Sequence, residues 1–181
     1  MCAAAVQLGN VWPEPAFGSH EPPGPSDVSR GTFAAMRVAT LFFALASVTD
    51  AAKRSVISTP DAPAAIGPYS QAIAIDYTGG RHIHAAGQIG MDPATGELVA
   101  GGIVNESKRA MTNVQNIMKK GGASMDNVTE CTVLLADLGE YSAFNDVYAT
   151  FFQDEPPARA AFQVVALPKG ARTEVKCAAS I

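Results

Sequence analysis

The run Ile103 to Lys120 limits the architectures open to this chain more than any other stretch. Ile103, Ser107, Ala110, Met111, Val114, Ile117 and Met118 recur at spacings of three and four, which predicts a helix with one apolar stripe. Lys119 and Lys120 suit the negative end of its dipole, and Gly121-Gly122 stop it. Such a stripe must be covered by a sheet or by a second helix. A shorter helix is predicted where Tyr141, Phe144, Val147, Tyr148 and Phe151 share a face, ending before Pro156-Pro157 because the residue preceding a proline avoids the α region.

The strands are punctuated by turns. Gln71 to Tyr77 alternates apolar with small or polar residues, Thr78-Gly79-Gly80 reverses it, and Arg81 to Ala86 answers it as a hairpin. Val128 to Leu135 is rich in β-formers. Arg159 to Ala166 and Arg172 to Ser180 are two last strands joined at Pro168-Lys169-Gly170. The order β-β-α-β-α-β-β, with two helices that each need a single face covered, predicts an α+β two-layer domain: one mixed sheet carrying both helices on one side. The sheet's other face, expected to bear Ile75, Val133, Val164 and Val175, is then exposed unless another copy covers it, so self-association is expected.

This domain is assigned to residues 55–181. Residues 1–54 are set aside as a disordered or targeting extension: five prolines lie among Gly, Ser and Glu before Met36, with no apolar period. The apolar segment 38–48, with the A-x-A pattern Ala44-Leu45-Ala46, is too short to span a bilayer. Counted from Met36 it has the layout of a cleaved signal peptide; counted from Met1 it does not. Cytoplasm and organelle, mitochondrion or plastid, both stay open. The formal net charge of −4 arises wholly after residue 54, since the first 54 residues hold four charges of each sign. An acidic body argues against a nucleic-acid partner, because phosphate binding needs a basic surface. Cys2, Cys131 and Cys177 are odd in number and far apart, which reads as reduced, buried thiols rather than a disulfide framework or zinc site.

For chemistry, Pro156-Pro157 should hold Arg159 at the mouth of a strand, and a hairpin folded at Pro168-Lys169-Gly170 would bring Glu174 back toward it. A guanidinium that grips a carboxylate and a carboxylate that moves a proton would then share one pocket; the alternative is a pair that merely ties two strands together. His82 and His84 share one strand face at a permitted metal spacing, but no third ligand is evident nearby and they read as ordinary strand histidines. Tyr69 leaves a Gly-Pro turn, Gly87 permits a close approach, and Asn145 sits among apolar neighbours on the second helix. No nucleophile elbow or catalytic triad is visible, so any catalysis uses a positioned water.

Five segments in order, Gly67-Pro68-Tyr69-Ser70-Gln71, Gly87-Gln88-Ile89-Gly90, Phe144-Asn145-Asp146-Val147-Tyr148, Pro157-Ala158-Arg159-Ala160-Ala161 and Leu167-Pro168-Lys169-Gly170, closely resemble the reactive intermediate deaminase A family (RidA, also called YjgF or L-PSP). The likeness spans about Val56 to Ala178. It implies a chorismate-mutase-like α+β fold, a homotrimer whose sheets form an inner barrel, three pockets between subunits, and hydrolysis of enamines and imines such as 2-aminoacrylate to 2-keto acids and ammonia. It implies no cofactor, no metal and no membrane partner. By position, Arg159 would bind the substrate carboxylate, Glu174 would activate water, Tyr69 would hydrogen-bond in the pocket, and Asn145, Gly87 and Ala86 would line it.

The chain departs from the family at Ala86, where serine is common, at Ala161, where many bacterial members have cysteine, and at Lys176, where a second glutamate is usual. His82 and His84 are also unusual. The alternatives implied by the same resemblance are an endoribonuclease or translation inhibitor, and a trimer that binds a small ligand without turning it over.

Overall fold

The computed structural model describes residues 52–152 and 154–181, so the apolar segment at 38–48 and Cys2 lie outside the described residues. The elements run β1 (Lys53–Ile57), β2 (Ala72–Tyr77), β3 (Gly80–Ala85), β4 (Gln88–Ile89), α1 (Gly102–Gly121), β5 (Val128–Leu135), α2 (Tyr141–Ala149), β6 (Ala158–Gln163) and β7 (Thr173–Ser180). They form one mixed sheet in the order β1-β2-β3-β7-β5-β6, with β4 pairing β7. Both helices pack on one side, the α+β arrangement expected. The chain adds two short strands to that expectation. β1 takes Lys53 and Arg54 from the stretch set aside and pairs with β2, and β4 continues along β7 where β3 leaves off.

Helix α1 buries Ile103, Ala110, Met111, Val114, Ile117 and Met118 against the sheet. Its end follows the sequence: Gly122 takes φ 93°, and its N–H and that of Ala123 close on carbonyls of the last turn. Helix α2 contributes Phe144 and Tyr148. Val133, Val175, Ile83 and Leu135 meet them from the sheet, each fully buried. This corrects one expectation. Val133 and Val175 are paired across β5 and β7 and face the helices, so of the four apolar residues expected on the open face only Ile75 and Val164 are there, both half-buried. Which parity of a strand faces inward depends on its neighbours, and both parities of β5 carry apolar residues.

Two further expectations change. The last two strands do not form a hairpin. β6 lies parallel to β5 on the sheet's edge, reached through α2, and β7 pairs antiparallel to the other edge of β5, so β5 stands between them. The turn at Pro168–Gly170 reverses the chain yet carries it across β5. The cysteines also differ from reduced, separate thiols: Cys131 and Cys177 are directly opposite on β5 and β7, with Cα atoms 4.1 Å apart, and are joined by a disulfide. A separation of 46 residues conceals this, because only the register of the sheet aligns the two.

Candidate active site

Glu174, the second residue of β7, lies on the face away from the helices. Gly87, just before β4, lies against its side chain: an added Cβ there would lie 1.8 Å from the Glu174 carboxylate oxygen Oε1 and 2.7 Å from Cδ. The glycine read as permitting close approach therefore admits a side chain. With Glu174 as the group that activates water, the role the resemblance implies, Gly87→Ala is expected to push the carboxylate aside and lower kcat/KM by about a hundredfold. Steady-state kinetics beside a melting curve separates that loss from unfolding.

Glu174, Gly87, Ala86 and Tyr69 line a single cleft of about 390 Å³, with Ile66, Ile89, Met91 and Pro168 forming much of its apolar wall. Burial among such groups pushes the Glu174 carboxyl above the usual carboxylate range. Among the described residues no hydrogen-bond donor reaches that carboxylate within the chain, so it is free to hold a water or a substrate proton.

The cleft's outer wall is the loop between β1 and β2, and one side chain pins it. Buried Gln71 accepts from the Thr59 N–H at 2.7 Å and donates to the carbonyls of Thr59, Ala62 and Pro63 at 2.8–3.0 Å. This fixes the path that leads to Ile66 and Tyr69, where the Tyr69 hydroxyl accepts from the Ile66 N–H at 3.2 Å. Gln71 lies in a quoted motif, but its role as the loop's anchor was not visible, because its partners are backbone carbonyls and an amide up to twelve residues away.

Arg159 is elsewhere. Its register partner is Cys131, whose own partner on β7 is Cys177. Glu174 lies three positions from Cys177, an odd step, and successive strand residues point to opposite faces. Arg159 therefore faces the helices and Glu174 the open side, so within one subunit the two do not share a pocket. The guanidinium lies against α2: Arg159 Nη2 donates to the Tyr141 hydroxyl at 2.7 Å and to Asn145 Oδ1 at 2.8 Å, and Cζ sits 4.4 Å from the centre of the Tyr148 ring. Burial pushes the Tyr148 phenol up to about 12, against the opposing pull of Arg159, so it stays neutral. Asn145 thus lies beside Arg159, and both are separated from Tyr69, Gly87, Ala86 and Glu174. In the sequence Tyr141 and Tyr148 stand out only as helix-face residues. The spacing Tyr141, Asn145, Tyr148, four and then three, was the available signal that all three reach one point.

His82 Nδ1 is 2.8 Å from the Ser180 hydroxyl, and its ring lies 4.9 Å from that of Tyr77. His84 is its neighbour on the same open face, with ring centres 6.4 Å apart.

The model of the family described as Endoribonuclease L-PSP matches residues 59–181. The chain belongs to this family. The goat (Capra hircus) protein named 2-iminobutanoate/2-iminopropanoate deaminase is 56% identical over 126 residues, 70% of this chain and 89% of the goat protein. The Arabidopsis thaliana protein named Reactive Intermediate Deaminase A, chloroplastic, is 36% identical over 140 residues, 77% of this chain and 73% of that one. The crystal structure of RidA from an Antarctic Psychrobacter is similar with a TM-score of 0.66 at 35% identity, covering 70% of this chain and 99% of that chain. The stretch matched by the L-PSP family holds both clusters, the Glu174 cleft and the Arg159 group on α2.

Proposed function

We infer that this protein hydrolyses reactive enamines and imines, such as 2-aminoacrylate, to 2-keto acids and ammonia. Glu174 carries the reading: a carboxyl raised by burial stands in a largely apolar cleft, in a chain whose relatives are named imine deaminases. An enamine first gains a proton from solvent at its terminal carbon and becomes an iminium ion, the protonated imine. Water oxygen then bonds to the imine carbon while its proton passes to the Glu174 carboxylate. The resulting carbinolamine takes that proton on nitrogen; ammonia leaves as the carbonyl forms, and the hydroxyl proton passes to the Glu174 carboxylate and on to solvent, so one water is consumed per turnover. Imines hydrolyse unaided, and general acid–base placement supplies about 10²- to 10⁴-fold. The substrate carboxylate binds Arg159 in this reading, while Tyr69, Ala86 and Gly87 border the reacting end and Asn145 holds the guanidinium.

Since the sheet separates Arg159 from Glu174, we place the complete site where two copies of the chain meet, Arg159 from one and Glu174 from its neighbour, in a homotrimer. Val56 and Phe162, more than half exposed, lie on the open face that such contacts would cover. An organellar home is consistent with the compartment in the plant relative's name; the mass of the mature N-terminus separates it from the cytoplasm.

The test is complementation. The chain is assayed by keto-acid release from a serine or threonine dehydratase reaction, alone and as co-expressed Arg159→Ala and Glu174→Gln subunits. Either variant alone should be nearly inactive, whereas random assembly restores both groups at about one junction in four, and so about a quarter of the activity. Mixed trimers that remain dead would place both groups in one subunit. Wild-type protein that fails to speed keto-acid release would remove the deaminase reading itself. RNA cleavage lost with Arg159→Ala would favour the nuclease reading, which the acidic chain does not support.

A further inference from the structure

Arg159 spends one nitrogen on two acceptors: Nη2 donates both to the Tyr141 hydroxyl and to Asn145 Oδ1. A guanidinium offers a carboxylate two bidentate edges, one through Nη1 and Nη2 and one through Nε and Nη2, and each needs a hydrogen of Nη2. A carboxylate gripped by two parallel bonds must therefore displace one of the two acceptors. They are not equivalent. Asn145 Oδ1 can only accept, and the residue is half-buried on α2. The Tyr141 hydroxyl both accepts and donates, and Tyr141, first residue of α2, is 38% exposed.

We propose that Tyr141 is a substrate-binding residue, whose hydroxyl yields Nη2 to the incoming carboxylate and donates its own O–H to it. This rests on Arg159 as the carboxylate anchor, the reading made above. No proton is transferred, and only the direction of the hydrogen bond reverses. The anion site then has three donors, two from the guanidinium and one from Tyr141, while the Tyr148 ring closes one face. The site so built selects a planar carboxylate over an uncharged group of the same shape.

Tyr141→Phe keeps the ring and removes the donor. Its expected effect is a rise in KM of about tenfold, the worth of a hydrogen bond to a charged group, with kcat falling far less. Binding of 2-oxobutanoate, followed by calorimetry, should weaken by the same factor, while binding of its uncharged methyl ester should not change. In an Arg159→Ala background the tyrosine substitution should add little, because the hydroxyl has lost what holds it there. A KM lower than that of the wild type would show the hydroxyl to be only a competitor and would overturn the proposal. So would equal weakening of acid and ester, which marks a purely structural role. Because the binding arm needs no turnover, its failure is distinguishable from failure of the deaminase reading.

Discussion

Arg159→Ala is expected to lower kcat/KM for imine hydrolysis by about a thousandfold. A carboxylate held by two charge-assisted hydrogen bonds loses both, at about 1.5–3 kcal/mol each. The loss should fall on substrates with a free carboxylate and spare uncharged imines. Arg159→Lys should recover little, since an ammonium is a point donor that cannot span two oxygens while keeping Asn145 as a partner. The substitution also leaves Asn145 Oδ1 unpaired and the Tyr148 ring uncovered, so a small fall in melting temperature is expected. Light scattering should show an unchanged assembly. Full activity in this variant would remove Arg159 from the site.

Glu174→Gln is expected to reduce kcat by about 10²- to 10⁴-fold, the span of general acid–base catalysis. The amide keeps the shape and the fit beside Gly87 but cannot take a proton from water. The pH dependence follows from the direction of the shift. Burial raises the carboxyl above the usual carboxylate range, and the group must be ionised to accept a proton. Wild-type activity should therefore fall as pH drops through that raised value, and the glutamine variant should lack this limb. Stability runs the other way. Between its unfolded and folded values the carboxyl binds more protons in the folded state, so ionising it at higher pH costs stability. Above that window Glu174→Gln should melt no lower than the wild type, and a clear drop there would show Glu174 to be a structural partner instead. A stabilised but inactive variant would be the mark of a group held in an unfavourable environment for its chemistry.

The extent to which the site was legible varies by residue. Gly87 could be singled out because a glycine beside a strand implies a close approach, but the partner, Glu174, is 87 positions away. Asn145 could be placed on a helix rim but not aimed, since the helical spacing that joins it to Tyr141 and Tyr148 also suits plain packing. The pairing of Arg159 with Glu174 through a hairpin failed for a definite reason. A turn specifies a reversal of direction, not which strand the returning chain will pair with, and β5 had already taken the edge of β6.

The amino-acid order alone determined the elements and the layer plan: apolar spacings of three and four made α1, alternation and Gly-containing turns made the hairpin, and two one-faced helices demanded a shared sheet. Only the tertiary structure decided which groups meet. Whether Cys131 bonds Cys177, whether Val133 faces helix or open side, and whether Arg159 and Glu174 share a pocket all depend on the register and parity of strands far apart in the chain. Side chains alternate with a period of two, so a one-residue change in register reverses every one of these outcomes, and no local pattern carries that information.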